Sequence, residues 1–219
     1  MIETLLDHIK NREEQQAIAL VKNNPTLLDA TDTNGSSGLM LLAYAGFTEA
    51  FDQAIELKKT FEFHEAIVCG KQQLVREQLM QPSKGLVNTY SPDGFTPLSL
   101  AAFFNRTEIA KLLLDHGADP NLAATNPSKV NALHSAVAKE NYELVKLLIE
   151  KGAALDAVQT QKVTALHSAV HRGNLQLTQL LVENGATVSV QMENGDTPIA
   201  IAQREGNKEI ATFLKAKQP

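Results

Sequence analysis

The chain has 219 residues, of which 43% are hydrophobic, and its 20 basic and 25 acidic residues leave a formal net charge of −5. This apolar content argues against an intrinsically disordered chain, and the acidic balance is poorly suited to a nucleic-acid phosphate backbone. No stretch approaches the roughly 18 consecutive apolar residues that a membrane span requires, so we expect neither a nucleic-acid nor a membrane partner.

The N-terminal segment predicts helices that cap whatever follows them. Met1-Ile2-Glu3-Thr4 lacks the basic and apolar segments of a signal peptide. Together with the single cysteine of the chain, this predicts a cytoplasmic protein. Leu5 to Lys10 and Gln15 to Lys22 are rich in polar residues and predict a first helix pair.

Residues that interrupt helical runs recur along the chain and predict seven helix pairs. The predicted breaks between the two helices of each pair are Asn11, Gly46, Gly70, Asn105, Glu140, Gly173 and Gly206, with successive gaps of 35, 24, 35, 35, 33 and 33 residues. The gap of 24 leaves no room for a hairpin, so Ile55 to Lys59 must turn almost directly into Phe63. We expect a local kink near residues 58–63.

The C-terminal half repeats a short segment with a nearly fixed period. The copies are Thr96-Pro97-Leu98-Ser99-Leu100-Ala101-Ala102, Asn131-Ala132-Leu133-His134-Ser135-Ala136-Val137, Thr164-Ala165-Leu166-His167-Ser168-Ala169-Val170 and Thr197-Pro198-Ile199-Ala200-Ile201-Ala202. An apolar helical run follows each copy. A fixed period of this length predicts a solenoid in which each unit buries its apolar face against its neighbours.

Local turn and cap residues agree with that period. Pro92 and Gly94 mark a tight turn, Thr96 supplies an oxygen for a helix N-terminus, and Pro97 suits the first helical position. Glu140 stands where a glycine is expected, which costs about 1–2 kcal/mol if its backbone is left-handed.

These segments resemble the ankyrin-repeat family. Thr96-Pro97-Leu98, Ala132-Leu133-His134, Ala165-Leu166-His167 and Thr197-Pro198-Ile199 match its Thr-Pro-Leu-His signature in whole or in part, and Gly117-Ala118-Asp119-Pro120-Asn121 matches its hairpin segment. The resemblance implies an all-α solenoid of antiparallel helix pairs with short β-hairpin-like turns. We expect one domain over residues 1–219, with units at about 1–33, 34–59, 60–91, 92–126, 127–159, 160–192 and 193–219.

Several histidines and the cysteine could in principle bind a metal or act in catalysis, but none falls in a catalytic or metal-binding pattern. The resemblance implies that His134 and His167 hydrogen-bond backbone between repeats. His167 and His171 have the i, i+4 spacing of zinc helices but lack the accompanying Glu and a third ligand. Cys69 has no orienting base or acid, so packing is favoured over a nucleophilic role. We expect no cofactor, no metal and no enzymatic activity.

A turn near residue 30 bears a faint likeness to a calcium loop. Asp29, Asp32 and Asn34 do not alternate as calcium ligands require, and Met40 stands where the closing Glu belongs. This segment therefore predicts a turn only.

The family resemblance also implies where a partner protein would bind, namely the hairpin tips and the exposed end of each first helix. The candidate binding residues at these positions are Tyr44, Val68, Phe95, Phe103, Phe104, Lys139, Val163, His171, Arg172 and Arg204. Read in order, they change from apolar and aromatic to basic and polar.

Phe103 and Phe104 are the most informative of these positions, because Leu98, Leu100, Ala101 and Ala102 already provide the packing face of their helix. An exposed aromatic pair is typical of a binding hot spot. The alternative is that one ring fills the gap beside the unit that lacks its hairpin.

Three functions remain open at this point. The leading prediction is a monomeric adaptor, scaffold or inhibitor whose partner is another protein. The alternatives are a metal- or Cys/His-dependent enzyme, and a structural repeat protein without a specific partner.

Overall fold

The computed structural model describes residues 1–81 and 85–218, and within them the chain forms seven consecutive pairs of α-helices. The helices are α1 (Ile2–Lys10), α2 (Glu14–Asn23), α3 (Gly38–Ala45), α4 (Thr48–Leu57), α5 (Phe63–Val68), α6 (Gln72–Leu79), α7 (Pro97–Phe103), α8 (Thr107–Asp115), α9 (Ala132–Ala138), α10 (Tyr142–Glu150), α11 (Ala165–His171), α12 (Leu175–Glu183), α13 (Pro198–Arg204) and α14 (Lys208–Ala216). The predicted all-α solenoid is confirmed. In the described ranges no helix is long and apolar enough to cross a membrane.

The odd-numbered helices stack side by side along the array, and the even-numbered helices form a second row behind them. Contacts run from α1 to α3, α5, α7, α9, α11 and α13 in turn, while each even-numbered helix packs against the helix that precedes it. Where the structure describes them, the connections between pairs consist of turns and of the short 3₁₀ helices Pro25–Leu28, Leu86–Asn88 and Thr160–Lys162, and a β-bridge joins Thr31 and Ser37.

Left-handed backbone marks the turn between the two helices of every pair. Six of the seven predicted breaks are confirmed by positive φ angles, at Gly46, Gly70, Asn105, Glu140, Gly173 and Gly206. The first break lies one residue later than predicted, because Asn11 has a φ of −83° and Arg12 has a φ of 60°. Glu140 has a φ of 54°, so its backbone is left-handed, the conformation that favours glycine. Its carboxylate accepts a hydrogen bond from Asn174 Nδ2 at 2.8 Å.

Polar caps fix where α3, α7, α9, α11 and α13 begin. Thr96 Oγ1 accepts a hydrogen bond from the Ser99 backbone N–H at 3.0 Å, and Pro97 occupies the first helical position, both as predicted. Asn131 and Thr164 cap α9 and α11 in the same way. These caps satisfy N–H groups that a helix leaves unpaired at its start, so they set the register of each repeat.

The junction between α4 and α5 departs from the repeat, as predicted. Five residues separate Leu57 from Phe63, and they contain no hairpin. The side chain of Lys58 is buried there, with its Nζ 3.2 Å from Glu65 Oε2 and also paired with Asp29. The buried Glu65 carboxylate in turn accepts hydrogen bonds from Ser37 Oγ at 2.6 Å and from the Glu62 N–H at 3.1 Å.

Because no hairpin connects α4 to α5, the loop before α3 contacts the loop before α7. Ser36 Oγ donates a hydrogen bond to Asp93 Oδ2 at 3.2 Å. Gly35 has a φ of 82°, and a Cβ at this position would lie 2.6 Å from Pro92 Cβ. The two loops, 57 residues apart in sequence, therefore form one continuous surface at this point.

The apolar core consists of two clusters that meet near this junction. The N-terminal cluster lies between α1, α2, α3 and α4 and includes Leu5, Ile18, Leu28, Leu39, Leu42 and Phe47. The larger cluster extends from Met40 and Phe63 to Leu214, and Leu133 and Leu166 are 1% and 0% exposed within it. Phe51 and Phe61 pack against both clusters and connect them.

Candidate functional site

An aromatic cluster connects the end of α3 with the two ends of α7, the helices that flank the short helix α5. The ring of Tyr44, at the end of α3, is 6.1 Å from the ring of Phe95 and 5.8 Å from that of Phe104, measured between centroids. All three side chains are half-buried against the larger core cluster. Burial raises the pKa of the Tyr44 hydroxyl well above its usual range, and Asp93 adds to the shift.

Phe103 and Phe104 have different environments, although they are adjacent in sequence. Phe104 fills space beside Tyr44, as the alternative of a gap-filling ring predicted for one of the pair. Phe103 is 40% exposed and meets Phe104 edge to face at 5.1 Å. Lys139 Nζ lies 4.4 Å from the centroid of the Phe103 ring, a distance that allows a cation–π interaction.

Phe103 borders an apolar cavity of ≈ 260 Å³ on the face formed by the odd-numbered helices and the loops. Phe95, Leu100, Val130 and Ala138 are among the apolar residues of its wall. These residues come from two consecutive helix pairs and their preceding loops. An exposed aromatic ring beside a concave apolar wall is an arrangement that can bury a side chain from another molecule.

A second, more open cavity of ≈ 640 Å³ adjoins the first and shares Tyr44 and Phe95 with it. Its lining combines polar and apolar residues from three loop tips and from α3, with Asp32, Asp93 and Asn126 among the polar ones. The two cavities together form one groove, which we call the aromatic groove.

Val68 was predicted to face a partner, and that prediction is wrong. Its side chain is 0% exposed and belongs to the larger core cluster. Helix α5 has only six residues and packs between α3 and α7, so its last residue lies below the surface that the flanking helices form. Its carbonyl oxygen also accepts a hydrogen bond from Arg106 Nε at 3.0 Å.

The basic C-terminal positions are exposed, but acidic residues of the same array pair with them. His171 Nδ1 lies 3.5 Å from Glu205 Oε1, Arg172 lies 3.9 Å from Glu140 Oε1, and Arg204 lies 2.6 Å from Asp196 Oδ2. The hydrogen bond from Arg204 lowers the pKa of Asp196. This half of the predicted stripe is therefore a network of ion pairs rather than a free basic surface.

The structure thus separates the predicted positions into groups. Tyr44, Phe95, Phe103, Phe104 and Lys139 meet at the aromatic groove. Another cavity, of ≈ 260 Å³, brings together the half-buried Val163 with His171 and Arg204. Arg172 borders neither of these cavities.

Sequence reasoning missed Leu100 and Val130 as lining residues of the aromatic groove. Leu100 is 1% exposed and reads only as a core residue. Val130 could have been predicted from the sequence. It immediately precedes the cap residue Asn131, just as Phe95 immediately precedes the cap residue Thr96. That shared position identifies Val130 as part of the same wall.

The two signature histidines have structural surroundings. His134 Nδ1 accepts a hydrogen bond from the Asn131 N–H at 3.2 Å, and its Nε2 bonds the Ala157 carbonyl at 3.0 Å. Ala157 lies in the same predicted unit, 127–159, so this bond ties α9 to the loop that leads to the next pair and does not itself join two repeats. His167 Nδ1 accepts from the Thr164 N–H at 3.2 Å. Its buried Nε2 faces the Val190 and Asp196 carbonyls without a hydrogen bond of good geometry. Burial lowers the pKa of both imidazoles.

The surroundings of Cys69 do not favour a nucleophile. Burial, reinforced by Glu65, raises the pKa of its thiol to about 12, so the thiol is protonated at neutral pH. In residues 1–81 and 85–218, no group of three or more His, Cys, Asp or Glu side chains is arranged to hold a metal ion.

Comparison with known proteins agrees with this architecture. A family model described as ankyrin repeats (3 copies) matches residues 5–124, 63–159 and 133–218. The chain is 33% identical over 102 residues to human ankyrin repeat and KH domain-containing protein 1, and 43% identical over 63 residues to mouse ankyrin repeat domain-containing protein 17. It is 31% identical over 127 residues to human transient receptor potential cation channel subfamily A member 1.

The matched regions cover 47%, 29% and 56% of this chain but only 4%, 2% and 11% of those relatives. The chain therefore spans only a small part of the length of each of these relatives. The family model, in contrast, extends over nearly the whole sequence. Together with the seven stacked helix pairs, it shows that the chain belongs to the ankyrin-repeat family.

Proposed function

We propose that the chain is a protein-binding module that holds a segment of a partner protein in the aromatic groove. Ankyrin repeats are generally protein–protein interaction modules, so the family supports the class of activity. The observation that carries the choice of surface is Phe103, which is 40% exposed beside an apolar cavity. Aromatic side chains at such positions supply a large share of the binding energy in many interfaces.

The groove is formed largely in advance of binding. Phe103 is positioned by Phe104 at 5.1 Å and by Lys139 at 4.4 Å, and Phe104 is held by Tyr44 at 5.8 Å. A partner would therefore immobilise few side chains of this chain on binding. Because less conformational entropy is lost, a surface of this kind gains affinity without needing a large interface.

Replacing Phe103 with serine is expected to weaken binding of a native partner by about thirtyfold or more, equivalent to about 2 kcal/mol for a hot-spot residue. The variant removes an apolar anchor but no charge, so the loss should change little with ionic strength. The measurement is affinity capture from extracts of the source organism followed by quantitative mass spectrometry, with the dissociation constant of each captured protein then determined.

Met80→Ser is the matched control, because Met80 is 72% exposed and follows α6 in the second row of helices. It removes an exposed apolar side chain without touching the aromatic groove. Phe104 is not a suitable test position, since its ring packs against Tyr44 and the core. Thermal melts must show both variants folded. The proposal fails if captured proteins bind wild type, Phe103→Ser and Met80→Ser equally well.

A further inference from the structure

The two cavities of the aromatic groove differ in chemistry, and this difference restricts the partner segment that fits. The smaller cavity is walled by Leu100, Phe103 and Val130. Its ≈ 260 Å³ lies below the roughly 300–1,000 Å³ of small-molecule sites, which suits a single large apolar side chain. The larger cavity is open and is lined by Asp32 and Asp93.

These two carboxylates are held in place by neutral donors. Asp32 Oδ1 accepts backbone N–H groups of Asn34 at 2.9 Å and of Ser36 at 2.8 Å, and Asp93 Oδ2 accepts from Ser36 Oγ at 3.2 Å. Such hydrogen bonds position a carboxylate without cancelling its charge. Asp32 and Asp93 therefore present negative charge on adjoining loops.

The charge on these loops is not neutralised within the described part of the chain. The nearby cation Lys58 is buried and pairs with Asp29 and Glu65. Neither Asp32 nor Asp93 has a cationic side chain within 4.0 Å among residues 1–81 and 85–218. Asp93 also borders a further cavity, of ≈ 320 Å³, that Glu62 lines, so the negative surface continues beyond the groove.

A positive charge lies next to the apolar cavity. Lys139 Nζ is 4.4 Å from the centroid of the Phe103 ring, which lines that cavity. In the C-terminal half, the acidic residues Glu140 and Asp196 pair with arginines. Within the groove, Asp32 and Asp93 line the cavity that shares Tyr44 and Phe95 with the apolar cavity.

We propose that the aromatic groove binds an extended segment of the partner protein in which a large apolar residue is flanked, on one side, by lysine or arginine. The apolar side chain enters the cavity beside Phe103, and the cationic side chain reaches Asp32 and Asp93. Long basic side chains suit an open, hydrated cavity, because their methylene stems lie along apolar surface while the charge stays in water. This inference rests on the proposed function and specifies its ligand.

The test uses a phage-displayed library of random short peptides selected on the full chain. Selected sequences are expected to combine a large apolar residue with a nearby lysine or arginine. One such peptide is then synthesised together with a version in which glutamine replaces the basic residue. We expect the glutamine version to bind about fivefold more weakly, as for an exposed charge pair of about 1 kcal/mol, and the difference to shrink as ionic strength rises.

Asp93→Asn tests the same contact from the protein side and should reduce the affinity for the basic peptide by a similar factor. Asp52→Asn is its matched control, because it removes the same charge from the exposed Asp52 on α4, which does not line the groove. The peptide substitution leaves the protein unchanged, so it remains decisive if Asp93→Asn disturbs the loops.

Each outcome separates this inference from the proposed function. Peptides that lose affinity with Phe103→Ser but show no basic preference would overturn the charge assignment and leave the groove in place. Peptides that bind Phe103→Ser as well as wild type would place binding elsewhere and overturn both. Failure to select any peptide would also overturn this inference, while native-partner capture would still test the proposed function.

Discussion

Replacing Lys58 with alanine is expected to lower the free energy of unfolding by about 3–5 kcal/mol, the cost of breaking a buried ion pair from one side. The Lys58 side chain is 3% exposed and that of Glu65 is 7% exposed, so the variant leaves a carboxylate buried without its cation. Chemical denaturation followed by circular dichroism measures this loss.

Two further variants determine whether the ion pair itself causes the effect. Lys59→Ala is the matched control, because Lys59 is exposed, and surface substitutions of this kind usually change stability by less than about 0.5 kcal/mol. Lys58→Met combined with Glu65→Gln removes both charges and should recover part of the loss. Equal stability of Lys58→Ala and Lys59→Ala would show that the buried pair does not support the junction.

Truncating Leu133 or Leu166 to alanine is expected to cost about 2–5 kcal/mol, because each is fully buried in the stack of odd-numbered helices. Each repeat contacts only its neighbours, so a local loss of this size should not spread evenly along the array. We expect α11 to α14 to lose protection from hydrogen exchange in Leu133→Ala while α1 to α4 retain it.

The division of the core into two clusters strengthens this expectation and supplies its control. Leu42 is 0% exposed in the N-terminal cluster, and Leu42→Ala should instead reduce protection in α1 to α4. Hydrogen exchange with mass spectrometry on the three variants distinguishes the two patterns. A loss below about 0.5 kcal/mol for both Leu133→Ala and Leu166→Ala would mean that the core face is misassigned.

Much of the fold was predictable because each repeat carries its own local signals. Thr96, Asn131 and Thr164 identify helix starts, and Gly46, Gly173 and Gly206 identify the turns between paired helices. The first turn was displaced by one residue, since Asn11 and Arg12 are both polar and neither is a glycine. Local chemistry determines these features, so a single sequence is enough to read them.

The surface was less predictable because it depends on which elements become neighbours. Val68 occupies the right place in its repeat for a binding residue, but α5 is too short to bring it to the surface. The sequence does not show which of the adjacent Phe103 and Phe104 is exposed. In the structure, Tyr44 packs against Phe104 and covers it, whereas Phe103 remains exposed.

Charge pairing was the other feature that the sequence did not reveal. From the sequence alone, Lys58 would be predicted to be an ordinary surface lysine. The fold places Asp29 and Glu65 next to it. The sequence indicates a basic surface at Arg172 and Arg204, but Glu140 of the preceding repeat pairs with Arg172, and Asp196, eight residues before Arg204, pairs with Arg204. These partners lie far enough away in sequence, or across turns, that spacing alone does not identify them.

The claim that the aromatic groove is the interface is tested most directly by methyl nuclear magnetic resonance on the labelled full chain, titrated with a native partner captured by the wild-type protein. We predict that shifts concentrate at Leu100, Val130 and Ala138, which line the apolar cavity. Shifts at Leu147 and Leu180, on the second-row helices α10 and α12, with the three groove residues unchanged, would contradict it.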